Sequence, residues 1–175
     1  ALGHRHTRRQ PKRPSMSFIA TANPPSSSAE AAIANEPFWP DIDCEQLRKD
    51  IRLDGTVTTE RLQVAVLAAM WAVNAELNGW KAKQLDAGHA TLADVPAPSH
   101  LGKTVKQHQY RRAIAFHVQA QLAEAYRDMD TLPQGSGKEA RVQAAIEIRV
   151  DGYNQQLRWA IADLQDGPRT IAQLL

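Results

Sequence analysis

The residues with potential for chemistry are few and scattered. There is one cysteine, Cys44. A lone thiol can be a nucleophile, but Cys44 follows an acidic pair that reads as a helix start. There it serves as a small apolar residue in the first turn. A single cysteine forms no disulfide within the chain, which fits a reducing compartment. His4 and His6 are spaced for a weak metal contact, but they lie in a basic leader. His89, His100, His108 and His117 lack zinc-ligand spacing, and no carboxylate completes a set with them. Asp41 and Asp43 form a carboxylate pair whose place before a helix makes capping the better explanation. Asp128 and Asp130 end a helix and open a turn. Gly135-Ser136-Gly137-Lys138 puts a lysine after glycines, without the spacing or the preceding strand of a phosphate-cradling loop. These residues predict no catalytic centre, no metal and no cofactor.

Charge separates the chain into two parts. The formal net charge is +2 over 175 residues. Residues 1–15 hold Arg5, Arg8, Arg9, Lys12 and Arg13 and no acid, so +5. The remainder has 16 basic against 19 acidic residues, so −3. The basic character therefore belongs to a leader, and a domain at −3 is not a nucleic-acid binder by composition. The leader also lacks the interleaved aromatics that stack on single strands. Arg111-Arg112 and the pair Lys81 and Lys83 read as solvated helix faces. No apolar run approaches the ~18 residues that span a bilayer. After the basic start the apolar stretch is broken by Asn23, Pro24 and Pro25, which argues against a secretory signal.

The elements that position these residues are helical. Residues 1–37 read as a flexible arm. Within it 1–15 look like an upstream extension, and 16–37 are rich in Ala, Ser and Pro. Order is expected from Phe38. Pro37-Phe38-Trp39-Pro40 is extended, since proline disfavours helix in the residue before it. Phe38 and Trp39 are expected to anchor the arm to the body. Asp41 or Asp43 caps a short helix with Leu47 and Ile51 on one face, ended by Gly55. A second helix starts at Thr58 or Thr59 and runs to Ala87, where Gly88 terminates it. Its stripe is Leu62, Val66, Ala69, Val73, Leu77 or Glu76, and Trp80. Val64, Leu67 and Trp71 widen the apolar surface beyond one seam, so this helix is expected to meet more than one neighbour. A short turn at Leu92-Ala93-Asp94-Val95 precedes a third helix over 103–128, with Tyr110, Ile114, Val118 or His117, Gln121 or Leu122, and Ala125 on its stripe. A turn at 134–137 leads to a fourth over 138–165, with Val142, Ile146, Val150, Tyr153, Leu157, Ile161 or Ala160, and Leu164. Gly167-Pro168 stops it. No clean period-two strand appears. The expected fold is all-α: an antiparallel bundle of three long helices plus one short N-terminal helix over 38–167, with a flexible arm before it and a short tail, 168–175, after it.

Several segments carry a family resemblance. They are Phe38-Trp39-Pro40-Asp41-Ile42-Asp43; Ile51-Arg52-Leu53 with Thr56-Val57; Arg61-Leu62; Asn74-Ala75-Glu76-Leu77; Thr91-Leu92-Ala93-Asp94-Val95-Pro96-Ala97; Tyr110-Arg111-Arg112-Ala113; Leu122 to Asp130; and Leu157-Arg158-Trp159-Ala160-Ile161-Ala162, closed by Gln165-Asp166 and Pro168-Arg169. In order and spacing they resemble the head-completion protein (GPL) family of temperate contractile-tailed phages. The resemblance covers about 38–175 and has no counterpart for 1–15. It implies a structural virion protein at the head–tail junction, assembled in the host cytoplasm. Such a protein adds to the portal after DNA packaging and forms a ring, twelve-fold in related adaptors. It extends the channel through which DNA passes without sequence-specific contact, and it offers a platform to tail-side neck or tail-completion proteins.

The residues add two expectations. Val64, Leu67 and Trp71 are candidates for a ring interface. Arg169, Ile171, Leu174 and Leu175 are candidates for portal docking, because a tail beyond Gly167-Pro168 has little core of its own to reach. The rival reading from another class is a nucleic-acid-binding regulator. It needs a tight turn between short helices, and these helices are long with ill-fitting linkers. A small hydrolase has no site to support it.

Overall fold

A computed structural model describes residues 30–53, 55–129 and 137–169, with side chains outside 127–146. It is mostly helical. Helix α1 spans Cys44–Asp50, α2 Thr59–Glu76, α3 Asn78–Asp86, α4 Val105–Met129 and α5 Gly137–Leu164. A 3-10 turn at Leu92–Asp94 and a two-stranded hairpin, β1 Ser99–His100 and β2 Lys103–Thr104, lie between α3 and α4.

The helix starts follow local capping chemistry. Asp43 caps α1, its carboxylate accepting from the Gln46 amide at 2.9 Å. Thr58 caps α2, its hydroxyl accepting from the Arg61 amide at 3.4 Å. The ends are less obvious. Helix α1 stops before the expected Gly55, and Arg52 takes the left-handed turn at φ 54°. The Arg52 amide reaches the Lys49 carbonyl and the Leu53 amide the Arg48 carbonyl, the paired bonds that close a helix C-terminus. At the end of α5 the left-handed residue is Asp166, φ 55°, and Gly167 follows it, donating to the Ala162 carbonyl at 2.8 Å. Gly88 does turn left-handed after α3, at φ 91°.

The single helix expected over 58–87 is two. Leu77 leaves the helix at φ −87°, ψ 0°, and Asn78-Gly79, two poor helix formers, open the next one. Leu77 itself is fully buried. The break lets Trp80 pack on Phe38, ring centroids 6.3 Å apart, and on Trp39 at 6.4 Å.

Helix α4 is the common partner of the other long helices. It runs antiparallel to α5: Arg112 bonds Gln156, Phe116 meets Tyr153 and Lys106 meets Leu164. It also runs antiparallel to α2, with Tyr110 beside Asn74 and Leu122 beside Val64 and Ala65 across a groove. Among the described residues α2 and α5 make no comparable contact with each other. The layout is thus a central helix with two flanking partners rather than a symmetric three-helix bundle. The core joins Leu62, Val66, Ala69 and Val73 of α2, Tyr110, Ile114 and Val118 of α4, and Ala160, Ile161 and Leu164 of α5. These are the predicted stripes; Ala125 falls outside, exposed. Val142 and Ile146 lie outside the described side chains.

The hairpin was not expected. Ser99 pairs with Thr104 and His100 with Lys103, leaving a two-residue loop. Both loop residues have positive φ, Leu101 at 52° and Gly102 at 73°, the signature of a type I′ turn. Strands of two residues are too short for period-two patterning to show.

Candidate assembly surfaces

The N-terminal segment is tied to the body before Phe38. Ile33 and Ile42 exchange backbone hydrogen bonds at 2.8 and 3.0 Å. Phe38 and Trp39 are each 3% exposed. Trp39 stacks on the Tyr110 ring at 4.7 Å, 7° from parallel, and Phe38 meets Trp39 edge-on at 4.8 Å. A polar knot backs this cluster. The Tyr110 hydroxyl donates to Asn74 Oδ1 at 2.6 Å and accepts from Asn35 Nδ2 at 2.8 Å. Asn74 Nδ2 donates to Asn35 Oδ1 at 3.0 Å. Burial pushes the Tyr110 phenol well above its ordinary value, so it stays a donor. Asn74 is buried beside the apolar stripe of α2, and no pattern in the sequence marked it for this network.

Ion pairs fasten the same segment. The Arg48 guanidinium grips both oxygens of Glu30 with Nε at 3.0 Å, and the Thr59 hydroxyl adds a bond at 3.0 Å. The arginine holds the Glu30 carboxyl below its usual range despite partial burial. Lys81 pairs with Glu36 at 2.5 Å, and Arg111 with Asp50 at 2.8 Å. Arg111 and Lys81 therefore tie elements together, where plain solvated faces were expected. Arg112 lies over the Phe116 ring at 5.3 Å.

The root of the tail is also held. Buried Lys106 donates to the Leu164 carbonyl at 2.6 Å and to Asp166 at 2.5 Å. Arg169 clasps Asp163 through Nε at 2.8 Å and Nη2 at 2.7 Å, and lies over the Trp159 ring at 5.3 Å. Ile171, Leu174 and Leu175 lie outside the described residues.

Large apolar side chains stand exposed on both flanks of α4. On α2, Val64 is 67% and Trp71 70% exposed, one above the other on a single helix face; Leu67 is half-buried between them. On α5, Ile148 is 73% exposed. At the hairpin tip Leu101 is 97% exposed. Ile148 and Leu101 were not singled out by sequence reasoning. Ile148 falls between two predicted stripe positions, and Leu101 had no turn assigned to it. A groove of about 560 Å³ runs between the start of α2 and the end of α4, lined by Val57, Val64, Ala65, Leu122, Ala125 and Tyr126 with Glu60, Arg61 and Gln121 at its edges.

The residues with potential for chemistry are dispersed. Cys44 is fully buried, and burial raises its thiol pKa, the opposite of an activated nucleophile. The His108 ring bonds the His100 carbonyl, and burial lowers the His117 pKa. Among the described residues no group of three His, Cys, Asp or Glu could hold a metal, and no helix is long and apolar enough to cross a membrane. His4, His6, Asp130 and residues 135–136 lie outside the described residues, as do the side chains of Asp128 and Lys138.

Comparison with known proteins supplies what this geometry alone does not. Residues 33–175 match the model of a family described as phage head completion protein (GPL). The chain is 36% identical over 148 residues, 85% of each chain, to the head completion/stabilization protein of Escherichia phage P2. No solved structure matches it.

Proposed function

We propose, since the chain belongs to the phage head completion protein (GPL) family, that it is a connector adaptor adding to the portal after packaging. The coarser statement follows from membership itself: this is a structural protein of a phage head and a component of the virion, from a family that is not one of enzymes. The finer reading is that subunits form a ring beneath the portal, probing its surface with their C-terminal tails. The ring extends the DNA channel and presents a platform to tail-side proteins.

The observation that supports the ring is exposed apolar surface on different flanks of α4, the aligned Val64 and Trp71 on α2 and the single Ile148 on α5. A cyclic ring joins one patch of a subunit to a different patch of the next, so it needs two. Leu67 supports the α2 patch from below. Lone exposed apolar residues are ordinary, but aligned large ones mark interfaces. Native mass spectrometry of the isolated portal complex tests the reading. Adaptor and portal in equal copy number are expected, and one or two adaptors per portal ring would rule the ring out.

A further inference from the structure

The groove between α2 and α4 is apolar, open and without an occupant among the described residues. Val64 at its edge is 67% and Tyr126 40% exposed, while Val57 and Ala65 at its floor are nearly covered. A bond of 2.6 Å between the Thr56 and Tyr126 hydroxyls closes one end. Its volume, about 560 Å³, compares with the ~150 Å³ that accommodates one benzene ring, so two bulky side chains fit.

We infer that this groove is the seat of the chain's own N-terminal segment, with Phe18 and Ile19 as the inserted side chains. Tether geometry selects the occupant. The described chain starts at Glu30, which Arg48 and the Thr59 hydroxyl pin beside the first residue of α2. From Thr59 to Ala65 in the groove is about 9 Å along the helix. The eleven residues from Ile19 to Glu30 span up to about 36 Å, so the pair reaches the groove with slack. The C-terminal tail does not reach it. Its root is fastened at Asp163 and Trp159, level with Lys106 at the start of α4. Leu122 lies about 24 Å further along α4, beyond the ~20 Å that six residues span. Among residues 1–29 the bulky apolar side chains are Leu2, Met16, Phe18 and Ile19, and only the last two are adjacent. The intervening Ala, Ser and Pro cannot build a core, so such a segment orders only against a surface. A tether of this length supplies an effective concentration near millimolar, which favours the chain's own segment over another copy's.

Methyl-resolved NMR on the full chain tests this. Contacts from the Phe18 ring to the Val64 and Leu122 methyls are expected. Replacing Phe18→Ala with Ile19→Ala should abolish them, shift those methyls and lower protection at Tyr126, while the body still folds and melts cooperatively. Both residues lie outside the described core, so the variant folds. The inference is overturned if the groove methyls are unmoved by the double substitution. It is also overturned if the contacts appear only between differently labelled copies in a mixed sample, which would make the occupant a second subunit. Trp71 is remote from the groove lining, so a ring lost through Trp71→Asp leaves this result untouched.

Discussion

At the residue scale, left-handed backbone strain falls on exposed residues: Arg52 and Asp166 close helices, and Leu101 sits at the hairpin tip. Leu101 adopts a left-handed backbone in a two-residue turn whose chemistry prefers Asn or Gly, and its side chain is 97% exposed. A non-glycine residue in that region costs about 1–2 kcal/mol. Leu101→Asn should therefore raise stability by about 1 kcal/mol, read as a shift of the urea midpoint with unchanged slope. A fall in the midpoint would mean that the leucine is covered by something in the free protein. Tyr110 shows the reverse arrangement, a buried hydroxyl with both partners in place. Tyr110→Phe keeps the ring stacked on Trp39 but strands the amides of Asn35 and Asn74. An unsatisfied buried polar group costs about 1–3 kcal/mol. The expected loss is of that order in chemical denaturation, and a loss under 0.5 kcal/mol would show that water replaces the hydroxyl.

At the scale of elements, the segment from Glu30 to Asp43 behaves as a strap across α1, α2, α3 and α4. Its apolar fastening is Phe38 and Trp39, in contact with Trp80 and Tyr110. Replacing both rings with Ala should lower the melting temperature by more than 10 °C, because each truncation in a core costs about 3–5 kcal/mol. An unchanged melt would place the rings against a partner instead. The ionic fastening is Glu30 with Arg48. The Glu30 carboxyl is held below its ordinary value, chiefly by hydrogen bonding to Arg48. A depressed folded pKa gives stability that is present above the unfolded value and is lost as pH falls through the folded one. Glu36, bonded to Lys81, and Asp163, bonded to Arg169, are shifted the same way. Stability should thus decline as pH drops below about 4.5, and Glu30→Gln should make that decline shallower. A variant with an acid limb as steep as the parent's would contradict this. The strap also shows where sequence reading stops. Helical stripes such as Leu62, Val66, Ala69 and Val73 are legible because period 3.6 is imposed by one core. The Phe38-Trp39 burial was readable from the rings themselves. The Asn35–Tyr110–Asn74 knot and the Glu30–Arg48 pair depend on residues brought together from 18 to 75 positions apart, which no local pattern encodes. The α2–α4 groove is missed for the same reason.

At the scale of the whole molecule, α4 carries a flank on each side and a fastened exit at one end. Lys106 and Arg169 fix where the chain leaves α5, through Asp166 in one case and Asp163 and Trp159 in the other. Arg169 was a candidate for portal docking, but its guanidinium is occupied by Asp163. The proposed docking role would then rest on Ile171, Leu174 and Leu175, with Arg169 holding the root of the tail. Covering such side chains gains on the order of 1.5–3 kcal/mol each, which a portal contact would supply under this proposal. Truncation after Arg169 separates tail from body more cleanly than removal of 169–175, because the Arg169 clamp survives. Loss of 170–175 should leave the melting temperature within 1–2 °C of the parent and abolish co-purification with the portal. Arg169→Ala should keep the apolar residues but weaken portal binding, since the released root costs conformational entropy on docking. Retained portal binding by the truncated chain would end the docking proposal. A melt lowered by 5 °C or more would instead show that 170–175 fold back on their own helices.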